Sequence, residues 1–171
     1  GRADGEWAYE IKWDGFRTLA FVDAGRVRLQ SSSGRDVTAG YPELGGLAGG
    51  VGAGSAILDG ELGVPDEAGV PKFGLIQQHS RPAVLYVFDV LQIDGHEAIA
   101  LPYLDRRRLL DELVEPGDHW VVPGHRIGDG AELFAHTDEM GMEGVMAKRI
   151  DSPYRPGTRS PAWRKVKVRR A

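Results

Sequence analysis

The 171-residue chain reads as an α+β domain of antiparallel β-sheets with flanking helices, on three observations. Short stretches alternate apolar and polar residues, Gly and Pro punctuate them, and only two segments carry helical spacing. Tyr9, Ile11 and Trp13 alternate with Glu10, Lys12 and Asp14, a strand that ends at the Gly15 turn. FRTLAFVD and RVRLQSS follow as two strands joined at Ala24-Gly25, so the N-terminal third is expected to be an antiparallel meander. GSAILDGELGVPDEAGVPKF reads as a strand pair around a Gly/Pro-rich turn, with Asp59-Gly60-Glu61 interrupting its apolar residues. VLYVFDVLQIDG is apolar and β-rich, which predicts a central strand turning at Asp94-Gly95. LDRRRLLDELV spaces Leu104, Leu109, Leu110, Leu113 and Val114 as an amphipathic helix. HWVVPGHRI predicts a short strand, GAELFAHTDEMG a helix stopped at Gly141, and EGVMAKRI another strand. DSPYRPGTRSP is a loop, and AWRKVKVRR alternates again as a final strand.

A content of 42% hydrophobic and 27% charged residues is that of an ordinary soluble domain, and the length suits one. With no cysteine, disulfides and thiolate metal sites are excluded, and the five histidines show no close ligand spacing. No apolar run approaches a membrane span, and the start has no signal-peptide pattern. The net charge of −4 speaks against nucleic acid, but it is unevenly spread. Residues 148–171 hold nine Lys or Arg against Asp151 alone, a charge of +8, which leaves −12 on the rest. A basic segment on an acidic body suits a local site for phosphates or a polynucleotide backbone, and equally a tail that only solubilises.

Four polar clusters sit at strand ends or inside strands, where a core prefers apolar residues: Lys12/Asp14/Arg17, Asp59/Glu61, Glu143/Lys148 and Lys165/Lys167. Residues two apart share a strand face, so these side chains are able to converge on one groove. An internal ion-pair network accounts for such charges, since buried Lys and Glu are costly unless paired. Chemistry supplies a second account. A deprotonated lysine amine is a nucleophile, and attack on the α-phosphate of a nucleotide gives a phosphoramidate. Neighbouring cations and a divalent metal on carboxylates would offset the phosphate charge. Phe88 suits stacking on a base, though an aromatic in an apolar strand is ordinarily core.

These residues resemble a known family. Lys12-Trp13-Asp14-Gly15-Phe16-Arg17, Leu58-Asp59-Gly60-Glu61, Tyr86-Val87-Phe88-Asp89, Glu143-Gly144-Val145-Met146-Ala147-Lys148 and Trp163-Arg164-Lys165-Val166-Lys167 are similar, in order, to motifs I, III, IIIa, IV and V of the nucleotidyltransferases. The strings and their flanks resemble the ligase domain of bacterial end-joining polymerase-ligase proteins among ATP-dependent DNA ligases, over nearly the whole chain. The resemblance implies an adenylation (nucleotidyltransferase, ATP-grasp-like) fold over residues 1–171, with the family's C-terminal OB-fold domain absent from this chain. It implies ATP with Mg2+ or Mn2+, a lysyl-AMP at Lys12, and AMP transfer to a DNA 5′-phosphate for nick sealing in double-strand-break repair. It assigns Glu10 to the adenine amino group, Arg17 to nucleotide or nick phosphates, Glu61 to the ribose, and Phe88 with Val145 or Met146 to the adenine faces. Glu143 and Asp14 would hold the metal, and Lys165 and Lys167, with Lys148 beside them, the phosphates. The implied partners are nicked double-stranded DNA and the polymerase, nuclease or end-binding proteins of that pathway. A monomer in the bacterial cytoplasm, near the nucleoid and away from membranes, is expected.

The chain departs from the family pattern at three places. Ser31-Ser32-Ser33-Gly34 stands where Ser-Arg-Asn-Gly is usual, so Ser32 replaces an arginine that serves the nick 5′-phosphate or the nucleotide. Phe73 to His79 carries Ile76 for a leucine and His79 for an arginine. Without the OB-fold domain, the first step is expected to be slow and sealing poor. The alternatives are an RNA ligase or capping-type nucleotidyltransferase, and a degenerate nucleotide- or DNA-binding module without turnover.

Overall fold

The computed structural model describes residues 4–78, 80–157 and 160–167. Among the described residues ten strands form two antiparallel sheets, one parallel pairing excepted. β1 (Trp7–Ile11), β8 (Arg126–Ile127), β9 (Gly144–Arg149) and β10 (Trp163–Lys167) make the smaller sheet, in the order β10-β9-β1-β8. β2 (Phe16–Asp23), β3 (Arg26–Ser31), β4 (Ser55–Gly63), β5 (Val84–Ile93) and β6 (His96–Glu97) make the larger one, in the order β3-β2-β4-β5-β6. β7 (Trp120–Val121) runs parallel to β5. Among the described residues the α-helices are α1 (Leu47–Gly50), α2 (Phe73–Gln78), α3 (Tyr103–Leu113) and α4 (Gly130–Glu139).

One face of the larger sheet builds the core. Ala20, Val22 and Leu29 of the β2–β3 hairpin, Leu58 and Leu62 of β4, and Leu85, Val87 and Val90 of β5 are buried against Leu44, Leu47, Ile76, Leu110 and Leu113. Strand alternation then sends Arg17 of β2 to the opposite face, with Glu61 as its cross-strand neighbour. The β4–β5 register slips twice, leaving Leu91 and Phe88 without a partner opposite. Such bulges re-aim side chains. Here Phe88 and the following Asp89 both leave the apolar layer, Phe88 to lie under the Arg17 guanidinium and Asp89 to meet Arg106.

The predicted strands and helices form, with four differences. β1 does not continue into the meander: the turn at Lys12 to Gly15 carries the chain from the smaller sheet to the larger, and β1 pairs with β8 and β9. Gly15 permits this crossing, because a Cβ there would sit 2.1 Å from the Leu62 carbonyl oxygen. The expected partner strand after β4 is reduced to a Pro65–Pro71 bridge, followed by α2, which periodicity had not indicated. HWVVPGHRI splits at Pro123 into β7 and β8, one in each sheet. The hairpins at Ala24-Gly25 and Asp94-Gly95 form as predicted, both pairs at positive φ. The last predicted strand is described to Lys167, and residues 168–170 lie outside the described residues. Among the described residues no helix is long and apolar enough to cross a membrane.

Gly60 sits where β4 and β5 press together, and a Cβ there would meet the Tyr86 carbonyl oxygen at 2.6 Å. Backbone cannot yield as a side-chain tip does. Gly60→Ala is expected to cost about 1–3 kcal/mol by forcing the strands apart, read as a lower denaturation midpoint; an unchanged midpoint would refute this account of the strand contact.

Candidate active site

The two sheets face each other across a cleft of about 730 Å³. Arg17, Ser31, Ser32 and Asp59 line it from the larger sheet, and Met146, Trp163 and Lys165 from the smaller. The β9 register pairs Met146 with Glu10 and Lys165, and Lys148 with Trp163, so these five side chains share the cleft-side face of the smaller sheet. Val145 falls on the opposite face and is buried, so of the two residues offered for the second adenine face the strand brings Met146 to the cleft.

Lys12 lies just past the end of β1, where its backbone N–H donates to the Gly144 carbonyl at 2.9 Å. Gly144 is required there because a Cβ would lie 2.1 Å from the Val166 carbonyl oxygen. The tie brings the Lys12 ammonium to 2.8 Å from Glu143 Oε1, with the Lys167 ammonium 3.4 Å from the same oxygen. Burial raises the Glu143 carboxyl, but hydrogen bonding and charge from Lys12 and Lys167 outweigh it and hold it below the usual range. Glu143 is thus an ionised acceptor beside an amine. It is also partly exposed, which leaves room for a cation.

Behind this rim the charges are internal. Glu10 is buried, takes a 2.7 Å bond from the Lys148 ammonium and another from the Tyr103 hydroxyl, and has Arg107 at 3.9 Å. Desolvation raises its carboxyl, yet Lys148 and Arg107 prevail and the net shift is downward. The Lys148 ammonium lies 4.2 Å from the Phe88 ring centre and 4.0 Å from that of Trp163, close enough for strong cation–π attraction when desolvated. Glu10 and Lys148 therefore support the aromatic floor of the site. Asp59, also buried, accepts from Arg17 Nε at 2.7 Å and from the Tyr154 hydroxyl at 2.5 Å. Asp89 pairs with Arg106 at 2.8 Å, and Arg106 also donates to the Leu101 and Ser152 carbonyls.

Asp14 accepts from the Phe73 N–H at 3.1 Å, capping α2. Among the described residues no three or more His, Cys, Asp or Glu side chains gather to hold a metal. A single partly exposed carboxylate at Glu143 does fit an ion of the Mg2+ type, which takes one or two carboxylates and completes its shell with water and substrate phosphates. Sequence reasoning singled out Asp59 in a polar cluster without giving it a role, and missed Tyr103, Arg106, Arg107, Tyr154 and Trp163 as site builders. Arg106 and Arg107 had a signal: they fall on the stripe Tyr103, Arg106, Arg107, Leu110, Leu113 that α3 buries. His79 lies outside the described residues.

Glu61 stands between Arg17 and Lys12, with a hydrogen bond from the Gly15 backbone, yet burial dominates and pushes its carboxyl up to about 7. The folded chain holds this proton more tightly than the unfolded chain, whose value is 4.5. The sign follows: this stabilisation is complete below about pH 4.5 and is lost as pH rises to about 7. Glu61→Gln is expected to flatten unfolding free energy over that window and to gain stability relative to the parent at pH 8. Parallel pH profiles for the two chains would overturn the assignment.

The family described as "ATP dependent DNA ligase domain" matches residues 2–167. The chain is 46% identical over 164 residues to the "Multifunctional non-homologous end joining DNA repair protein LigD" of Mycobacterium tuberculosis, covering 95% of this chain and 22% of that protein. It is 34% identical to a DNA ligase of Thermococcus onnurineus, with 95% and 32% covered. The solved structure "mycobacterial DNA ligase D complexed with ATP and MES" superposes with a TM-score of 0.83 at 42% identity, covering 94% of this chain and 54% of the other. The chain thus spans about a fifth of the mycobacterial protein's length. Family match, identity and superposition agree with the ordered lysine motifs: this chain belongs to the ATP-dependent DNA ligase domain family.

Proposed function

We propose that the chain is the adenylation domain of an ATP-dependent DNA ligase that acts in double-strand-break repair, with Lys12 as its nucleophile. The observation that carries this reading is the Lys12–Glu143–Lys167 cluster, whose Lys167 shares a strand face with the cleft-lining Lys165. In the first step the neutral Lys12 amine attacks the α-phosphorus of ATP. A P–N bond forms, the P–O bond to pyrophosphate breaks, and the amine gives up a proton to water, with Glu143, 2.8 Å away, holding the amine in place. Lys165 and Lys167 balance charge on the phosphate, a fixed arrangement that favours the transition state over free solution. Phe88 and Met146 enclose the base, and Glu61 faces the ribose.

In the second step a 5′-phosphate oxygen of nicked DNA attacks the lysyl-AMP phosphorus, the P–N bond breaks, and the Lys12 amine recovers a proton. The adjacent 3′-hydroxyl then attacks the activated 5′-phosphate and AMP leaves. Glu143 would hold Mg2+ or Mn2+, with Asp14 in reach only by giving up its bond from the Phe73 N–H, and the ion would supply charge neutralisation at the phosphates when bound. The relatives named for non-homologous end joining support the pathway, and the bacterial cytoplasm is the compartment it requires.

Intact mass after incubation with ATP and Mg2+ is expected to show one added AMP, absent in Lys12→Ala, absent with GTP, and removed by pyrophosphate. Lys165→Ala with Lys167→Ala should slow its appearance by about 10²–10³-fold. Reversible ATP binding with no covalent adduct would overturn the reading in favour of a binding module.

A further inference from the structure

Lys12 to Gly15 carry the chain from the smaller sheet to the larger, and each of the four residues is tied to a different element. The Lys12 backbone N–H donates to the Gly144 carbonyl of β9. The Trp13 ring lies on the Tyr86 ring of β5, with centroids 4.3 Å apart and planes 13° from parallel. Asp14 accepts from the Phe73 N–H of α2, and Gly15 lets the backbone pass the Leu62 carbonyl of β4. The boundary between the sheets therefore falls at one peptide bond: Lys12 is tied to the smaller sheet and Trp13 to the larger.

The ring under Trp13 is itself fixed. Tyr86 is buried, and its strand runs between β4 and β7, with Glu61 opposite it on one side and Val121 on the other. A Cβ at Gly63 would lie 3.4 Å from the Tyr86 ring and 3.5 Å from the Asp14 carbonyl oxygen, so β4 leaves room for the turn to settle on this ring. Near-parallel stacking at this separation is a favoured aromatic arrangement. A lysine stem is long, so a small backbone rotation beside it becomes a large displacement of the amine. Glu143, 2.8 Å from the ammonium, holds the far end of that stem from the smaller sheet, and the Trp13 stack holds the near end from the larger.

We propose that Trp13, through its stack on Tyr86, is the positioning residue that fixes the line along which the Lys12 amine approaches the α-phosphorus. This rests on the ligase reading above, with Lys12 as the nucleophile. Attack is productive only with the reacting atoms about 3–3.5 Å apart and aligned, and a misplacement of about 1 Å is able to cost about 10²-fold in rate. Trp13 acts through Lys12 and not on the nucleotide, so losing the stack lowers the rate of the bound complex and leaves ATP affinity alone. A stack that only held the domain together would act differently: its loss would lower the unfolding midpoint and leave the rate per folded chain unchanged.

The test follows single-turnover formation of lysyl-AMP by intact mass over a range of ATP concentrations, below the unfolding midpoint of each chain. Trp13→Leu, which keeps apolar bulk without the stack, is expected to lower the rate at saturating ATP by about 10–10²-fold and to leave the half-saturating ATP concentration within about twofold. Trp13→Phe, still able to stack, should stay within about threefold of the parent rate. Tyr86→Leu removes the same contact from the other side, and the double variant should be no slower than the slower single one, because one contact is lost only once. A Trp13→Leu chain that reacts at the parent rate, or a Trp13→Phe chain as slow as Trp13→Leu, overturns the proposal. So does a defect confined to the ATP requirement, or losses that multiply in the double variant. Failure of the ligase reading is distinct, because the parent then acquires no AMP, or Lys12→Ala acquires it as well.

Discussion

Charge buried between two sheets must be cancelled where it stands, and the site depends on that constraint. Removing one member of a buried ion pair costs about 3–5 kcal/mol, more than the about 2 kcal/mol of even a desolvated cation–π contact. The pairing of Glu10 with Lys148 therefore decides where the lysine goes, and the Phe88 and Trp163 rings adapt to it. Asp59 works the same way across the cleft, fixing Arg17 on its own sheet and Tyr154 on the loop of the other. Each carboxylate converts two flexible side chains into fixed walls.

The arrangement separates two kinds of charge. Glu10, Asp59, Asp89, Arg106 and Lys148 are buried and mutually satisfied, and they set geometry. Lys12, Glu143, Lys165 and Lys167 remain at the rim, where water and a polyanion have access. A nucleotidyltransferase needs both. A rim without the internal pairs would have no fixed positions, and internal pairs without the rim would leave no charge for substrate.

Periodicity gave the strands of the larger sheet and both long helices, because alternation and helical spacing are local properties that burial only confirms. It misplaced β1, since which sheet a strand joins is settled by partners more than a hundred residues away. The motif strings marked the rim lysines and Glu143. They did not reveal that Glu10 and Lys148 face inward, or that Asp14 caps α2, because a charged residue looks the same in sequence whether its partner is substrate or protein. The two arginines on the buried stripe of α3 went unread because the helix was aligned on its leucines; their i, i+3 and i+4 spacing from Tyr103 was the available signal, and Asp89 and Glu10 meet them.

β1 enters the smaller sheet from one end of the chain, and its partners β9 and β10 come from the other, with the larger sheet lying between them in sequence. Non-local pairings of this kind form late, because the loop must close before they are rewarded. During synthesis the larger sheet is able to gather its core while Lys12 still lacks the Gly144 carbonyl that holds it. The Lys12 amine, the proposed nucleophile, is thus positioned by one of the last contacts to form, so in incomplete chains it stands with neither Glu143 nor Lys167 beside it.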